Sequence, residues 1–329
     1  MNVGLYFDLR NPRAWAQDPA RLHAFALEMC EEADRLGAHS VWLTEHHLFD
    51  DGYLAQPLTF AAAVAARTSR LRIGTAVVVA PLHHPVEIAE QAALVDLVSG
   101  GRLELGLGAG YRRPEYDLYD VHDRRRYART DDCVRQLRRM WEAGGVTPRP
   151  VQRPVPVWLG YQGPQGARRA GVLGAGLLST DPGMLEPYRA GLLAGGHDPV
   201  GARMAGGVQG WVSEDPEADW PLVSRHVVEQ VDSYRRHLVQ GTGQAPPPPV
   251  DPERLRRREP RGPLDHFWFE TPEAMARRVR DRVGSAPVET VFFWASLPGM
   301  AEDVVARNVR TICTRVLPLL GDGTAAVAS

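Results

Sequence analysis

Lysine is absent from this chain, so all 38 residues counted as Lys+Arg are arginine. Together with abundant Ala, Gly and Pro, this fits a GC-rich genome and gives no ground for a basic binding surface. Blocks of like charge are missing too, and the formal net charge is only −2. That balance argues against nucleic acid or an anionic membrane as partner. Cysteine is scarce. Cys30, Cys133 and Cys313 are odd in number and far apart, which fits reduced thiols in the cytoplasm rather than a disulfide framework. No apolar run approaches the ~20 residues of a membrane span. The chain opens on the strand-like VGLYF rather than on a signal peptide, so a soluble cytoplasmic protein is expected.

What is present is a rhythm. The 329 residues, 44% of them hydrophobic, suit a (β/α) barrel of ~250 residues with insertions. Apolar runs at 3–7, 40–44, 71–80, 102–108, 156–160, 175–178, 205–212 and 288–294 read as eight strands. Helical patterns lie between them. Asp18 and Pro19 supply an N-cap and a first-turn proline for the helix after the first strand. Others follow at about 57–69, 85–98, 127–143, 167–173, 183–194, 219–238, from 271, and at 300–320. Such alternation is the mark of right-handed βαβ units on a parallel sheet. The fold class is therefore α/β, a (β/α)8 TIM barrel forming one domain over 1–320. Residues 111–125 read as a charged loop. An insertion at about 240–270, with the Pro246 to Pro249 run and many arginines in 240–263, lacks periodicity and reads as a mobile excursion. The tail from Gly321 is expected to fray.

Ligands of parallel barrels sit beyond the carboxyl ends of the strands. There this chain places Glu45-His46-His47, Gly108-Ala109-Gly110, and the run from Tyr161 to Gly166. Neighbours on a strand face opposite ways, so at most one of His46 and His47 can face the barrel axis as a base. The alternative is that both satisfy loop backbone groups. A metal needs three or four convergent ligands. His46, His47, His83 and His84 are numerous enough, but no H-E-x-x-H spacing occurs and no metal is expected. The glycines at 106–110 lack a full dinucleotide fingerprint. Residues 160–169 suit a phosphate better, because a glycine-rich loop feeding a helix offers free N–H groups and a positive dipole end. Trp294, Phe267, Trp268 and Phe269 read either as a pocket wall or as ordinary core.

The run VWLTEHH…GTAVVVAPLHHPVEIAEQAALVDLVSGGRLELGLGAG resembles the corresponding segment of the bacterial luciferase-like flavin monooxygenases. The resemblance extends over 156–176 and to TPEAM and RVLPLL near the end, and is weakest over 111–150 and 195–270. The E-H-H form, with G-T-A and H-P-V-x-x-A-E, is more similar to the flavin mononucleotide (FMN) branch than to the deazaflavin branch. The resemblance implies an oxygenase that takes reduced FMN from a separate flavin reductase. With O2, through a peroxyflavin, it would oxygenate a small, largely apolar organic substrate. A deazaflavin-dependent hydride-transfer enzyme and a non-catalytic flavin-binding homologue are the alternatives.

By position, the resemblance implies His46 as the catalytic base and a non-prolyl cis peptide at Ala76-Val77 beneath the flavin ring. It implies cofactor contacts from Glu45, Ala76, Val77, Gly108, Ala109, Gly110, Tyr111, Gln162, Gly163 and Gly166. Two departures stand out. The reactive cysteine of the light-emitting subunit corresponds to Gly108, and the arginine that grips the flavin phosphate corresponds to Ala109. Phosphate binding is left to backbone amides and to Arg112, Arg113 or Arg168. Glu90 corresponds to an acidic residue on a subunit-interface helix. The Ala-rich helices at 57–69 and 85–98 permit close approach, so a homodimer is expected. The 240–263 stretch precedes the last strand and is expected to act as a lid over bound flavin.

Overall fold

Eight parallel strands close into a barrel in the computed structural model, which describes residues 1–257 and 266–321. They are β1 (Asn2–Phe7), β2 (Ser40–Leu43), β3 (Arg72–Thr75, resumed at Val78–Val79), β4 (Leu103–Gly108), β5 (Val157–Leu159), β6 (Gly176–Leu178), β7 (Met204–Val208) and β8 (Val288–Trp294). Each pairs with the next, and β1 closes the ring on β8, with Tyr6 opposite both Trp42 and Trp294. Helices alternate with these strands, so the fold is the TIM barrel that the rhythm of the sequence predicts. No helix among the described residues is long and apolar enough to cross a membrane.

Large side chains plug the barrel from within. Trp42 stacks on Phe292 with ring centroids 4.8 Å apart, and Trp158 meets Trp42 edge-on at 6.2 Å. Each indole is accommodated by a glycine on the neighbouring strand. Gly74 pairs with Trp42 and Gly176 with Trp158, and a Cβ on either would lie 2.3 Å from an indole carbon. Trp158 anchors the plug from below by donating to Glu104 Oε2 at 2.7 Å. Tyr6, Ala76 and Leu178 pack on its upper side. The lumen is therefore closed at the bottom and offers a floor at the carboxyl ends of the strands.

Three stretches differ from the sequence reading. The 71–80 run is broken at Ala76-Val77, whose peptide bond is cis, as expected for that position. The 205–212 run is two strands. Beyond Val208, Gly210–Val212 leaves the barrel and pairs in parallel with Trp268–Glu270. Because the partner lies some 58 residues on in register (Gly210 with Trp268), no local period announces it.

The described part of the supposed mobile excursion is tied down. It forms a helix at Pro252–Arg257, and Val250 N donates to Asp232 at 3.0 Å. Glu253 accepts from Trp220, and Arg256 pairs with Glu217. Phe267, Trp268 and Phe269 are core rather than pocket wall, with Phe269 against Trp220 on the long Pro216–Val239 helix. Residues 258–263 of the expected lid and 322–329 of the expected tail lie outside the described residues.

Candidate active site

The charged stretch at 111–125 is not all loop. It holds a short helix, Arg113–Leu118, and that helix carries Glu115 to the barrel mouth. Its carboxylate is the hub of the site. Glu115 Oε1 lies 2.8 Å from His46 Nδ1 and accepts from His47 N at 2.9 Å and Arg112 Nη1 at 2.9 Å. Arg112 is fully buried, donates to His47 O, and reaches Gln240 Oε1 at 2.7 Å. Burial pushes the Glu115 carboxyl up, but bonds from His46 and the His47 amide, with the Arg112 charge, outweigh it and hold it below its usual range. An ionised carboxylate only accepts, so Nδ1 of His46 carries the proton. Its Nε2, 3.1 Å from the Tyr111 hydroxyl, is left as the basic nitrogen. The ring is clamped by Phe49, stacked at 4.9 Å, and by Tyr53, edge-on at 4.8 Å.

His47 faces the other way, as strand alternation requires. Its Nε2 meets Glu45 Oε1 at 2.9 Å, and His83 Nε2 meets the same oxygen at 2.7 Å. Glu45 Oε2 accepts from Val79 N at 2.8 Å. Burial raises the Glu45 pKa, yet these donors win and hold it low. Burial pulls His83 down, but its bond to Glu45 raises it overall. Both oxygens of Glu45 are thus engaged, Oε1 by the two histidines and Oε2 by the Val79 amide just past Ala76-Val77. Among the described residues, no group of three or more His, Cys, Asp or Glu is arranged to hold a metal ion.

Ala76 and Val77 form a half-buried shelf at the mouth. The Ala76 carbonyl accepts from Tyr6 OH at 2.6 Å. Val77 fills the space left by two glycines. A Cβ on Gly108 would lie 2.3 Å from Val77 Cγ2, and one on Gly160 would lie 2.7 Å from its Cγ1. This gives the glycine at 108 a physical reason. Restoring a side chain there, as in Gly108→Cys, overpacks the shelf and is expected to cost about 1–3 kcal/mol. Urea unfolding measures that cost. Adding Val77→Ala in the same chain should recover most of it, and no recovery would count against the coupling.

On the far side, Ala109 is buried, and its carbonyl accepts from Tyr116 OH at 2.6 Å. Gly110, at φ 72°, takes the left-handed turn that leads into Tyr111. The helix expected at 167–173 starts earlier, at Gly163–Val172, with Gln162 as N-cap and Gly163 at φ 71°. The run from Gly163 to Gly166 is therefore its first turn, where Pro164 has no N–H and the other residues offer theirs. Gly166 is buried against Tyr161, where a Cβ would come within 2.8 Å.

Of the arginines suggested by the sequence, Arg112 is consumed by Glu115, Arg113 lies 4.0 Å from Asp123, and Arg168 is exposed on the helix. Arg126 was missed. It is half-buried over the Tyr127 ring, which packs on Tyr161, and its Nε has no partner. No carboxylate among the described residues pairs with it.

The luciferase-like monooxygenase family model matches residues 1–287. The chain belongs to that family. The oxygenase component of flavin-dependent trigonelline monooxygenase from Acinetobacter baylyi is 31% identical over 169 residues, 45% of this chain and 46% of that protein. The F420-dependent glucose-6-phosphate dehydrogenase of Amycolatopsis mediterranei is 31% identical over 183 residues, 49% and 55% of the two chains. The chain thus spans about half the length of these curated relatives.

Among solved structures, monooxygenase RslO1 from Streptomyces bottropensis superposes with a TM-score of 0.81 at 23% identity, over 98% of this chain and 100% of that one. The oxygenating constituent of 3,6-diketocamphane monooxygenase from Pseudomonas putida, in complex with FMN, gives 0.73 at 15% identity, over 98% and 99%. At these identities the structures speak for the fold alone. The luciferase-like proteins similar to this one therefore include both flavin-dependent and F420-dependent members.

Proposed function

We propose that this luciferase-like protein is the oxygenase component of a two-component flavin monooxygenase. It would take reduced FMN from a separate reductase and use O2 to oxygenate an organic substrate. The observation that carries this reading is the His46–Glu115 pair, set in an aromatic clamp near the shelf of Ala76 and Val77. The site fits a flavin in two respects. The shelf is bordered by Gly108 and Gly160, where side chains would intrude, and a helix start lies nearby with free amides. Reduced flavin, when bound, supplies the electrons that activate dioxygen.

The chain's own residues have narrower tasks. His46 Nε2 holds or moves a proton, with Tyr111 OH as the nearest relay. Phe49, Tyr53 and Tyr234 crowd His46 and shield it from water, while the exposed Tyr111 borders it at the mouth. Gln162 and the N–H groups of Gly163, Gln165 and Gly166, with Arg126, would hold the phosphate, and the end of β4 at Gly108, Ala109 and Gly110 would border the cofactor. Gln240 ties the start of the 240–257 stretch to this machinery through Arg112, so in this reading that stretch covers the site as a fixed wall. Residues 1–320 act as one unit in this reading.

The test is anaerobic titration with reduced FMN and with reduced F420, followed by oxygen. Preferred binding of FMN, with oxygen consumed by the complex, supports the proposal. Preferred binding of F420 with hydride transfer and no oxygen use would replace it by the second reading, which the F420-dependent relatives favour. Within the FMN reading, Arg126→Ala should weaken FMN binding about tenfold, the size expected for losing one charge-assisted phosphate contact. Riboflavin, which lacks the phosphate, should bind both proteins equally. A similar loss for both ligands would remove Arg126 from the phosphate site.

A homodimer also belongs to this proposal. The Pro85–Ser99 helix exposes Val86, Leu94, Leu97 and Val98, with Glu90 on the same face. Such an apolar stripe is expected to be covered by a second copy. Sedimentation should give a dimer at micromolar concentration, and Leu94→Glu should shift it to monomer.

A further inference from the structure

A cavity of about 400 Å³ opens beside the barrel mouth, and the proposed reaction makes no use of it. Three segments frame it: the Arg13–Trp15 turn after β1, the stretch from Gly299 to Val304 after β8, and the part of the Pro216–Val239 helix from Leu222 to His226. Loops that follow strands gather at this end of a TIM barrel. The cavity is nevertheless distinct from the His46 site, since none of its lining residues belongs to the His46 clamp. From His226 here to Tyr234 at the His46 wall is about 12 Å of helix.

The frame is tied together by specific contacts. Asn11 and Gln17 exchange hydrogen bonds, Nδ2 to the Gln17 carbonyl and the Gln17 amide to Oδ1, both at 2.8 Å. Gln17 Nε2 donates to Met300 O at 2.9 Å, which joins the loops after β1 and β8. Gly299, at φ 70°, lets Trp15 lie against it, because a Cβ there would come within 2.9 Å of the indole Cε3. The Trp15 ring meets His226 at 4.5 Å. Leu222, Met300, Ala301 and Val304 add to a lining that is mostly apolar.

Glu302 and Arg225 are the charged groups of the lining. Glu302 is held by Arg21, with Nε to Oε1 at 2.7 Å and Nη2 to Oε2 at 2.6 Å. Arg225 has no carboxylate partner among the described residues. Its Nε donates to His226 Nε2 at 3.3 Å, and its guanidinium lies 5.7 Å from the Trp15 ring centroid. His226 can accept because its Nδ1 donates to Pro298 O at 2.9 Å, and because burial, with the Arg225 charge, holds the ring below its usual pKa. Both Nη groups of Arg225 are left over, a fork that matches a carboxylate end-on. The unpaired charge repels a cation, and a small inorganic anion would leave the apolar lining in water.

We propose that this cavity binds an organic carboxylate, with its charged end on the Nη groups of Arg225 and its apolar body against Trp15, Leu222, Met300 and Val304. The site stands apart from the flavin reading and does not depend on it.

The test is calorimetric titration of the full chain with 2-naphthoate and with 2-naphthamide, which keeps the ring system without the charge. 2-Naphthoate is expected to bind about tenfold tighter, the lower end for hydrogen bonds to a charged group. In Arg225→Gln the ratio should fall to about one while 2-naphthamide binds as before. Arg225 is exposed, so the fold tolerates the change. Leu222→Glu is a second variant at an exposed position. It offers Arg225 a carboxylate three residues away on the same helix face, and it should also abolish the preference. Equal binding of the two probes by the parent protein, binding of neither at millimolar concentration, or an unchanged ratio in Arg225→Gln overturns the proposal. Displacement of 2-naphthoate by FMN would place the probe at the barrel mouth and overturn it as well.

Discussion

Glu115→Gln should lower turnover about 100-fold while leaving FMN affinity almost unchanged, the lower end of what a positioned acid–base group contributes. In the proposed reaction the carboxylate takes no direct part. It acts through His46, whose Nδ1 proton it fixes, and through Arg112 and the His47 amide, which it gathers on one oxygen. A glutamine keeps the shape but can present either an oxygen or an NH2 to Nδ1, so the tautomer with a basic Nε2 loses its advantage. The discriminating measurement is the pH profile of turnover. A positioning role shifts the alkaline-rising limb upon loss of the carboxylate, and a merely structural role lowers the whole curve without moving it. In a His46→Ala background, Glu115→Gln should have little further effect, because the two act as one unit. Full additivity would separate them. Glu115→Ala is the stability counterpart. It strands Arg112, a fully buried cation, without its carboxylate, and breaking such a pair costs about 3–5 kcal/mol.

Asp8→Asn should raise stability at pH 8 and leave it nearly unchanged at pH 4. Burial, opposed by Arg10 and reinforced by Asp51, pushes the Asp8 carboxyl up to about 7. The group therefore binds its proton more tightly in the folded chain than in the unfolded one, where an aspartate titrates near ~4. Between those values the folded state holds more protons, so stability falls as pH rises through this window. A gap of about three units corresponds to roughly 4 kcal/mol at most, and about 2–4 kcal/mol is a realistic expectation once the site relaxes. Asparagine does not titrate, so the variant should lose this slope. Urea midpoints at pH 4, 6 and 8 measure it. Parallel curves for parent and variant would show that the folded chain does not hold the Asp8 carboxyl above its unfolded range.

Tyr6, Asp8 and Arg10 show how far a strand pattern carries. Period-two alternation places Tyr6 in the lumen, and its continuation places Asp8 and His46 at the mouth. That much is legible once β1 and β2 are recognised. The glycines at 74 and 176 are legible only as glycines; their reason appears when Trp42 and Trp158 are seen lying across them. The division of labour between His46 and His47 follows from alternation, but not which of them meets Glu115.

The sequence by itself determined the barrel, because its strands and helices are written in contiguous residues of fixed period and many of their boundaries in a local Gly, Pro or Asp. It also determined the neighbourhood of the site, since strand ends are local features and the E-H-H run stands at one of them. Only the tertiary structure decided the partners. His46 and Glu115 are 69 residues apart and meet within a barrel whose strands all close on one another. Arg126 gains its place from the packing of Tyr127 on Tyr161, and the strand Trp268–Glu270 from a parallel partner in a distant segment. Asp8 looks like any acidic residue after a strand until the closed barrel buries it beside Arg10. Such contacts depend on three-dimensional closure and on side-chain volume, and neither leaves a period in the chain.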